Sequence, residues 1–291
     1  MKTAVITGAN RGIGFDTTIA FARAGYKVYA TMRNPKGATV LREMIENESL
    51  HISMMQMDVN DDDSVINCLN QIQDESGALD VIVNNAGIER HGAIEEMELS
   101  VFKDVMETNY FGVIRCVKAV LPLMRENNNG CIINVASISG QISSSPLAPY
   151  TASKFALEAF SEALAQEVKP FNIRVGIIEP GIINTDMAHD IQDSEANVNY
   201  PQALRFAGMF RASLENPTSP TLVADTILNV VESGTWDLRH PVGPDAIPFL
   251  DWRASMTDEQ WVDWNAAPDD VWYKAVQDSF GLDAREQSKK V

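Results

Sequence analysis

Positive charge is scarce in this 291-residue chain: 23 lysines and arginines stand against 40 aspartates and glutamates, for a net charge of -17 at neutral pH. A field of that sign repels nucleic acid and anionic membrane surfaces, so neither is expected as a partner. Cysteine is rarer still. Cys68, Cys116 and Cys131 are odd in number, widely spaced and without metal-ligand spacing. That excludes a disulfide framework and points to reduced core thiols. The four histidines, His51, His91, His189 and His240, are scattered too, so no metal site is expected. No apolar run approaches the ~20 residues of a membrane-spanning helix. The stretch from Met1 to Ile6 enters a strand-like run without the longer apolar region and small-residue cleavage site of a secretory signal. These absences lead to the expectation of a cytoplasmic protein.

What is present is an ordinary core: 45% of the residues are hydrophobic and 22% charged. Short β-branched runs alternate with helical stretches. The strand candidates are Thr3–Thr7, Lys27–Thr31, Ile52–Met57, Val81–Val83, Cys131–Val135 and Arg174–Ile178, with a seventh near Leu238–Val242. They are nearly continuous apolar runs, as suits parallel strands covered on both faces. Helical periodicity marks Ile13–Ala24, Asp63–Glu75, Ser100–Met124, Tyr150–Val168 and Leu222–Ser233. The alternation predicts an α/β fold, a Rossmann-like doubly wound parallel sheet with helices on both faces. We expect one such domain over residues 1–248. Residues 249–291 carry four of the five tryptophans and are expected as a helical extension packed on the domain, with a polar, frayed end from Arg285.

The first strand runs into Thr7-Gly8-Ala9-Asn10-Arg11-Gly12-Ile13-Gly14. Glycines there permit a tight turn and close backbone approach to a pyrophosphate, and the following helix aims free N–H groups and a positive dipole end at it. At the end of the second strand, where a carboxylate would repel a 2′-phosphate, the chain has Met32 and Arg33. With Arg11, this gives two guanidiniums and no carboxylate, which favours NADP(H).

Reduction of a ketone by hydride leaves an alkoxide that needs a proton. Tyr150 and Lys154 lie one helical turn apart, and a lysine there is expected to lower the tyrosine pKa toward neutrality. Ser137 ends the fifth strand, where a hydroxyl faces the ligand crevice of an open α/β sheet.

The spacing TGxxxGxG, the Y-x-x-x-K pair, Asn84-Asn85-Ala86-Gly87 and Pro180-Gly181-Ile182-Ile183-Asn184-Thr185 resemble the short-chain dehydrogenase/reductase family, in its single-domain subtype. The resemblance spans about Lys2 to Ser233. It implies that Tyr150 transfers the proton, that Lys154 tunes Tyr150 and holds the nicotinamide ribose, and that Ser137 orients the substrate oxygen. By the same resemblance Asn109 holds a water in a proton relay. Asp58 and Val59 contact the adenine, Asn85, Ala86 and Gly87 line the adenine-ribose side, and Pro180, Gly181, Ile182 and Thr185 form the loop at the carboxamide. The implied activity is reversible hydride transfer between nicotinamide and a ketone, aldehyde or secondary alcohol, most simply a carbonyl reductase.

The substrate is expected to be an apolar small-molecule carbonyl or alcohol compound, and an apolar pocket would suit a ketone with bulky hydrophobic substituents. Pocket candidates are Ile88, Glu89, Arg90, Ile138, Ser139 and Ile142, together with a lid from Asp186 to Glu215 containing Met187, Tyr200, Phe206, Met209 and Phe210. Small residues at Ala152, Ala156, Ala159 and Ala163 make a stripe that faces either the sheet or a second subunit, and a homodimer or homotetramer is expected. Two alternatives stand beside the reductase. One is a non-catalytic NADP-binding redox sensor. The other is a nucleotide-sugar epimerase-type enzyme, whose glycine spacing and larger substrate domain differ from those here.

Overall fold

The computed structural model of the chain describes residues 1–193 and 199–288. Seven strands form one sheet: β1 (Thr3–Thr7), β2 (Lys27–Met32), β3 (Ile52–Gln56), β4 (Val81–Asn84), β5 (Gly130–Val135), β6 (Ile173–Pro180) and β7 (Arg239–Val242). All pair in parallel, in the order β3-β2-β1-β4-β5-β6-β7. This is the doubly wound sheet expected from the alternating pattern. The winding reverses between β1 and β4, so the strand ends open a crevice there.

The helices between strands are α1 (Gly12–Arg23), α2 (Thr39–Glu48), α3 (Asp62–Ser76), α4 (Leu99–Met106), α5 (Gly112–Glu126), α6 (Ala148–Val168), α7 (Asp186–Gln192), α8 (Gln202–Leu214) and α9 (Pro220–Ser233). Alternate strand residues supply two cores. Ala4, Ile6, Val28, Ala30, Val83 and Ile133 face α1, α2 and α9. Val5, Tyr29, Ile82, Ile132, Val175 and Ile177 face α3, α5 and α6. Strand side chains alternate between faces, so a sheet buried on both sides reads as a continuous apolar run. The three cysteines are free and buried.

The segment expected as one helix from Ser100 to Met124 is interrupted. A π turn, Glu107–Phe111, separates α4 from α5. The hydrophobic period runs through it almost undisturbed, which is why the sequence does not reveal it. A second difference lies at the C-terminal end. After β7 come α10 (Ala246–Ala254), α11 (Asp258–Ala266), α12 (Asp269–Phe280) and α13 (Ala284–Ser288). Helix α10 straddles the boundary expected at residue 248. Nor is the chain frayed from Arg285: Gln287 and Ser288 are buried, Arg211 donates to the Gln287 carbonyl at 3.2 Å, and Gly208 lies against the backbone of α13. Gln287 spends its polar groups on α8 and on Glu215 beyond its end, and Arg285 pairs with Asp270 of α12. Residues 194–198 of the expected lid, and 289–291, lie outside the described residues.

The alanine stripe of α6 turns away from the sheet. Ala152, Ala159 and Ala163 are exposed, with Phe155 among them at 43% exposure. Among the described residues no helix is long and apolar enough to cross a membrane, and no cluster of metal-ligating side chains occurs.

Candidate active site

A cleft of about 1000 Å³ runs across the C-terminal ends of the strands. Its floor begins at the glycine turn. Gly8 has φ +66°, a left-handed conformation, and a β-carbon there would sit 2.9 Å from the Ala86 Cα. Thr7 Oγ1 accepts from the Asn85 and Ala86 amides at 3.0 and 2.9 Å, and Asn85 Nδ2 donates to the Thr7 carbonyl at 2.9 Å. The Asn84–Gly87 turn is therefore tied directly to the glycine turn. Helix α1 starts with no side-chain cap and no acidic residue in its first turn. Asp61, Thr185, Ser219 and Thr257 cap α3, α7, α9 and α11, while α2, α8 and α12 among others also start uncapped; what sets α1 apart is that its first turn opens from the glycine turn into the cleft. Uncapped first-turn amides aimed into a cleft suit a phosphate.

Asn10, Arg11, Gly12, Ile13 and Arg33 line this end, as do Asp58, Val59, Asn85, Ala86 and Gly87. Arg33 is exposed at the rim. Arg11 is already engaged: its guanidinium donates to Asp186 Oδ2 at 2.9 Å. Asp58 does not cap α3. Its Oδ1 accepts from the Asn60 amide at 3.1 Å, while Asp61 takes the cap.

At the other end Ser137, Tyr150, Lys154 and Asn109 come together, although they leave from different elements. Ser137 follows β5 and accepts from the Ser139 amide at 3.1 Å. Its hydroxyl donates to the Pro180 carbonyl at 3.4 Å and also acts on Tyr150, whose pKa it pulls down. Lys154 Nζ donates to the Val135 carbonyl at 2.8 Å and lies 5.6 Å from the Tyr150 ring centre. The π turn directs Asn109 inward, where it is 1% exposed. Asn109 Nδ2 donates to the Ile88 carbonyl and to Ser153 Oγ, both at 2.9 Å, and Oδ1 accepts from the Ile88 amide at 2.8 Å. The side chain thus clamps the loop after β4 onto α6, one residue from Lys154.

The electrostatics differ from expectation at one point. Tyr150 is not lowered toward neutrality but pushed up to about 12, first by burial, with Ser137 pulling it down and Glu89 pushing it further up. Lys154 is brought down to about 8 by burial, against the supporting charge of Glu158. Burial wins at Tyr150 because the ring belongs to the apolar cluster that includes Phe249, Trp272 and Val276 of the C-terminal helices, which the local Y-x-x-x-K pattern does not report.

Those helices roof the cleft. Trp252, Trp261, Trp264 and Trp272 all line it. Trp252 and Trp264 meet edge to face at 4.4 Å, and Trp264 stacks on Trp272 at 5.5 Å. Ile88, Glu89, Arg90, Ile138, Ser139, Ile142, Met187, Phe206, Met209 and Phe210 line the cleft as expected, but Tyr200 does not; it hydrogen-bonds Glu95. Glu89 is 5% exposed, and both its carboxylate oxygens lie 3.1 Å from His91 Nδ1, a contact that raises the His91 pKa.

Pro180, Gly181, Ile182 and Thr185 line the cleft from Ser137, which bonds the Pro180 carbonyl, to the glycine turn, where Thr185 lies against Gly12. Thr185 Oγ1 donates to the Ile183 carbonyl at 3.3 Å. Sequence reasoning missed Asp245, whose Oδ2 accepts from the Ile182 amide at 2.7 Å and whose carboxylate fills the space a Gly181 side chain would need. The Gly243-Pro244-Asp245 turn after the last strand was its only signal.

Comparison with known proteins gives the same reading. The family model for short chain dehydrogenase matches residues 2–196. An oxidoreductase of Botryotinia fuckeliana, BOA17, is 34% identical over 262 residues, covering 88% of this chain and 95% of that protein. A 3-ketodihydrosphingosine reductase of Bacteroides thetaiotaomicron is 37% identical over 247 residues, covering 82% and 87%. Among solved structures, a short-chain dehydrogenase from Streptomyces avermitilis superposes with a TM-score of 0.78 at 31% identity, covering 91% and 96%. With its sheet, its glycine turn and its Ser137–Tyr150–Lys154 group, the chain belongs to the short-chain dehydrogenase family of oxidoreductases.

Proposed function

We propose that the protein is an NADP(H)-dependent carbonyl reductase. One observation carries the reading: two hydroxyls, Ser137 and Tyr150, converge beside a buried lysine at the end of a cleft that starts at an uncapped helix N-terminus. In this reading the pyrophosphate lies on the Gly8–Gly14 turn with Asn10 and Ile13. Arg33 reads the 2′-phosphate, joined by Arg11 once it leaves Asp186. Asp58 and Val59 flank the adenine, and the Pro180–Thr185 loop meets the carboxamide. Bound NADPH supplies the hydride.

The protein supplies the proton. Ser137 and Tyr150 donate hydrogen bonds to the substrate carbonyl oxygen, which polarises it and fixes its distance from the cofactor. As charge develops on that oxygen, the Tyr150 proton moves to it. A phenol near 12 is fully protonated at neutral pH, so the resting site is in the acid form that reduction needs. The Lys154 charge stabilises the phenolate left behind, and Asn109 keeps the helix register that places Lys154. The phenol returns to the acid form by taking a proton from solvent.

The tryptophan roof supports an apolar substrate of some bulk. The B. thetaiotaomicron relative is named a 3-ketodihydrosphingosine reductase. The outward face of α6, with Phe155 and the three exposed alanines, supports a homo-oligomer joined through that helix. Small-molecule chemistry in the cytoplasm fits the acidic surface. The test is absorbance decay at the reduced-nicotinamide band with NADPH or NADH and a panel of ketones and aldehydes. Consumption that prefers NADPH and bulky apolar ketones supports the reading. NADPH binding without consumption of any compound sinks it in favour of a non-catalytic sensor.

A further inference from the structure

One turn beyond Lys154 on α6, Glu158 is 5% exposed, and Glu179 near the end of β6 is fully buried. Glu158 Oε2 accepts from Arg239 Nε at 3.0 Å, and the other arm of Arg239 goes to Glu162 at 2.8 Å. Glu179 Oε1 accepts from Gln141 Nε2. The remaining oxygens, Glu158 Oε1 and Glu179 Oε2, are buried and have no donor among the described residues. Adjacent residues bring the two carboxyls together, since Gly140 lies against Glu158 and Gln141 bonds Glu179, and each carboxyl perturbs the other. Two ionised carboxylates so placed repel, and each strands a lone-pair oxygen in a dry interior. One proton between them removes both penalties. Gly140 makes room for the arrangement, because a β-carbon there would fall 2.7 Å from Glu158 Cγ.

We propose that Glu158 and Glu179 share one proton and act as a single buried negative charge that keeps Lys154 protonated. The shared proton stands on the two buried carboxyl oxygens left without a donor and needs no activity; its service to catalysis rests on the reductase reading. The charge count closes. Lys154 on α6 and Arg239 on β7 are positive, and the pair and Glu162 are negative, so a second ionisation of the pair leaves one uncompensated charge. Burial pushes the Glu158 carboxyl up to about 7 and raises Glu179. A folded-state value above the ordinary one means that the folded protein holds the proton more tightly, so stability is lost as pH rises through about 7. The two glutamates are positioning residues, acting through Lys154.

The experiment uses the full chain without cofactor. Infrared difference spectra across a pH titration are expected to show a carboxylic-acid C=O band that vanishes through about pH 7 and is missing from Glu158→Gln and from Glu179→Gln. In Glu158→Gln an amide hydrogen replaces the shared proton, so from about pH 6 to about pH 8.5 its melting temperature is expected to fall about 5 °C less than that of the wild type. An absent band, or equal slopes, overturns the shared proton. The Lys154 Nζ signal by NMR is expected to titrate about one unit lower in Glu158→Gln/Glu179→Gln than in Glu158→Gln, which keeps one charge. The alkaline limb of kcat/KM is expected to follow the same difference. Coincident Nζ titrations overturn the charge role. A protein that reduces no ketone refutes the reductase reading and leaves the infrared and Nζ results to judge the pair.

Discussion

Arg33 and Arg11 face one cofactor group from different starting states. Arg33 is exposed at the rim with no ion-pair partner among the described residues, whereas Arg11 is held by Asp186 across an exposed 2.9 Å ion pair. Arg33→Ala is therefore expected to weaken NADPH binding about tenfold to a hundredfold and NADH binding less than twofold, since a charge-assisted contact to phosphate contributes about 1.5–3 kcal/mol. Equilibrium titration followed by tryptophan fluorescence checks it. Asp186→Asn frees Arg11 and is expected to tighten NADPH binding, by no more than about fivefold because exposed ion pairs are weak. For the proton, Lys154 near 8 sets the sign. Reduction is expected to hold steady through neutrality and to fall above about pH 8 as Lys154 loses its charge, whereas alcohol oxidation rises with pH because it needs the Tyr150 phenolate. Initial rates in both directions over pH test this. The residues of the site were legible in the sequence because the chemistry confines them: a hydroxyl at a strand end, and a tyrosine and a lysine one turn apart. The raised pKa of Tyr150 was not, because the apolar cluster around it draws on α10 and α12, about a hundred positions away. Asp245 and the Glu158–Glu179 pair were equally hidden, since each partner looks like an ordinary surface acid until the sheet brings them together.

Among the elements, the strands were legible because a sheet covered on both faces writes itself as continuous apolar runs. The π turn at Glu107–Phe111 was not, because one extra residue in a turn leaves the apolar period nearly intact. The C-terminal helices were seen as helical and aromatic, yet their destination, the roof of the cleft, is a long-range packing choice that no local pattern encodes. Helix α13 is the sharpest case. It reads as a polar tail, but it docks where Gly208 leaves space on α8. Gly208→Ala places a β-carbon against the Ala284 carbonyl, forcing the two helices apart. It is expected to cost about 1–3 kcal/mol and to raise KM for bulky ketones more than it lowers kcat, because α8 also carries Phe206, Met209 and Phe210 of the cleft wall. Thermal melting and steady-state kinetics on that variant check both parts.

At the scale of the whole molecule, a net charge of -17 strains the compact state by self-repulsion, while cofactor binding relies on a few local donors. Added salt is therefore expected to raise the melting temperature by a few degrees while weakening NADPH binding, opposite effects from one screening mechanism. Melting curves and NADPH titrations at low and high ionic strength separate them. The central claim is that a protonated Tyr150 delivers the proton that completes ketone reduction. Its most direct test is Tyr150→Phe, with NADPH binding and NADPH consumption measured on one preparation. The expected result is NADPH affinity within about threefold of wild type and turnover reduced by at least about a hundredfold, the range that a positioned general acid contributes. Turnover close to wild type, with the fold and the cofactor affinity intact, would contradict the account.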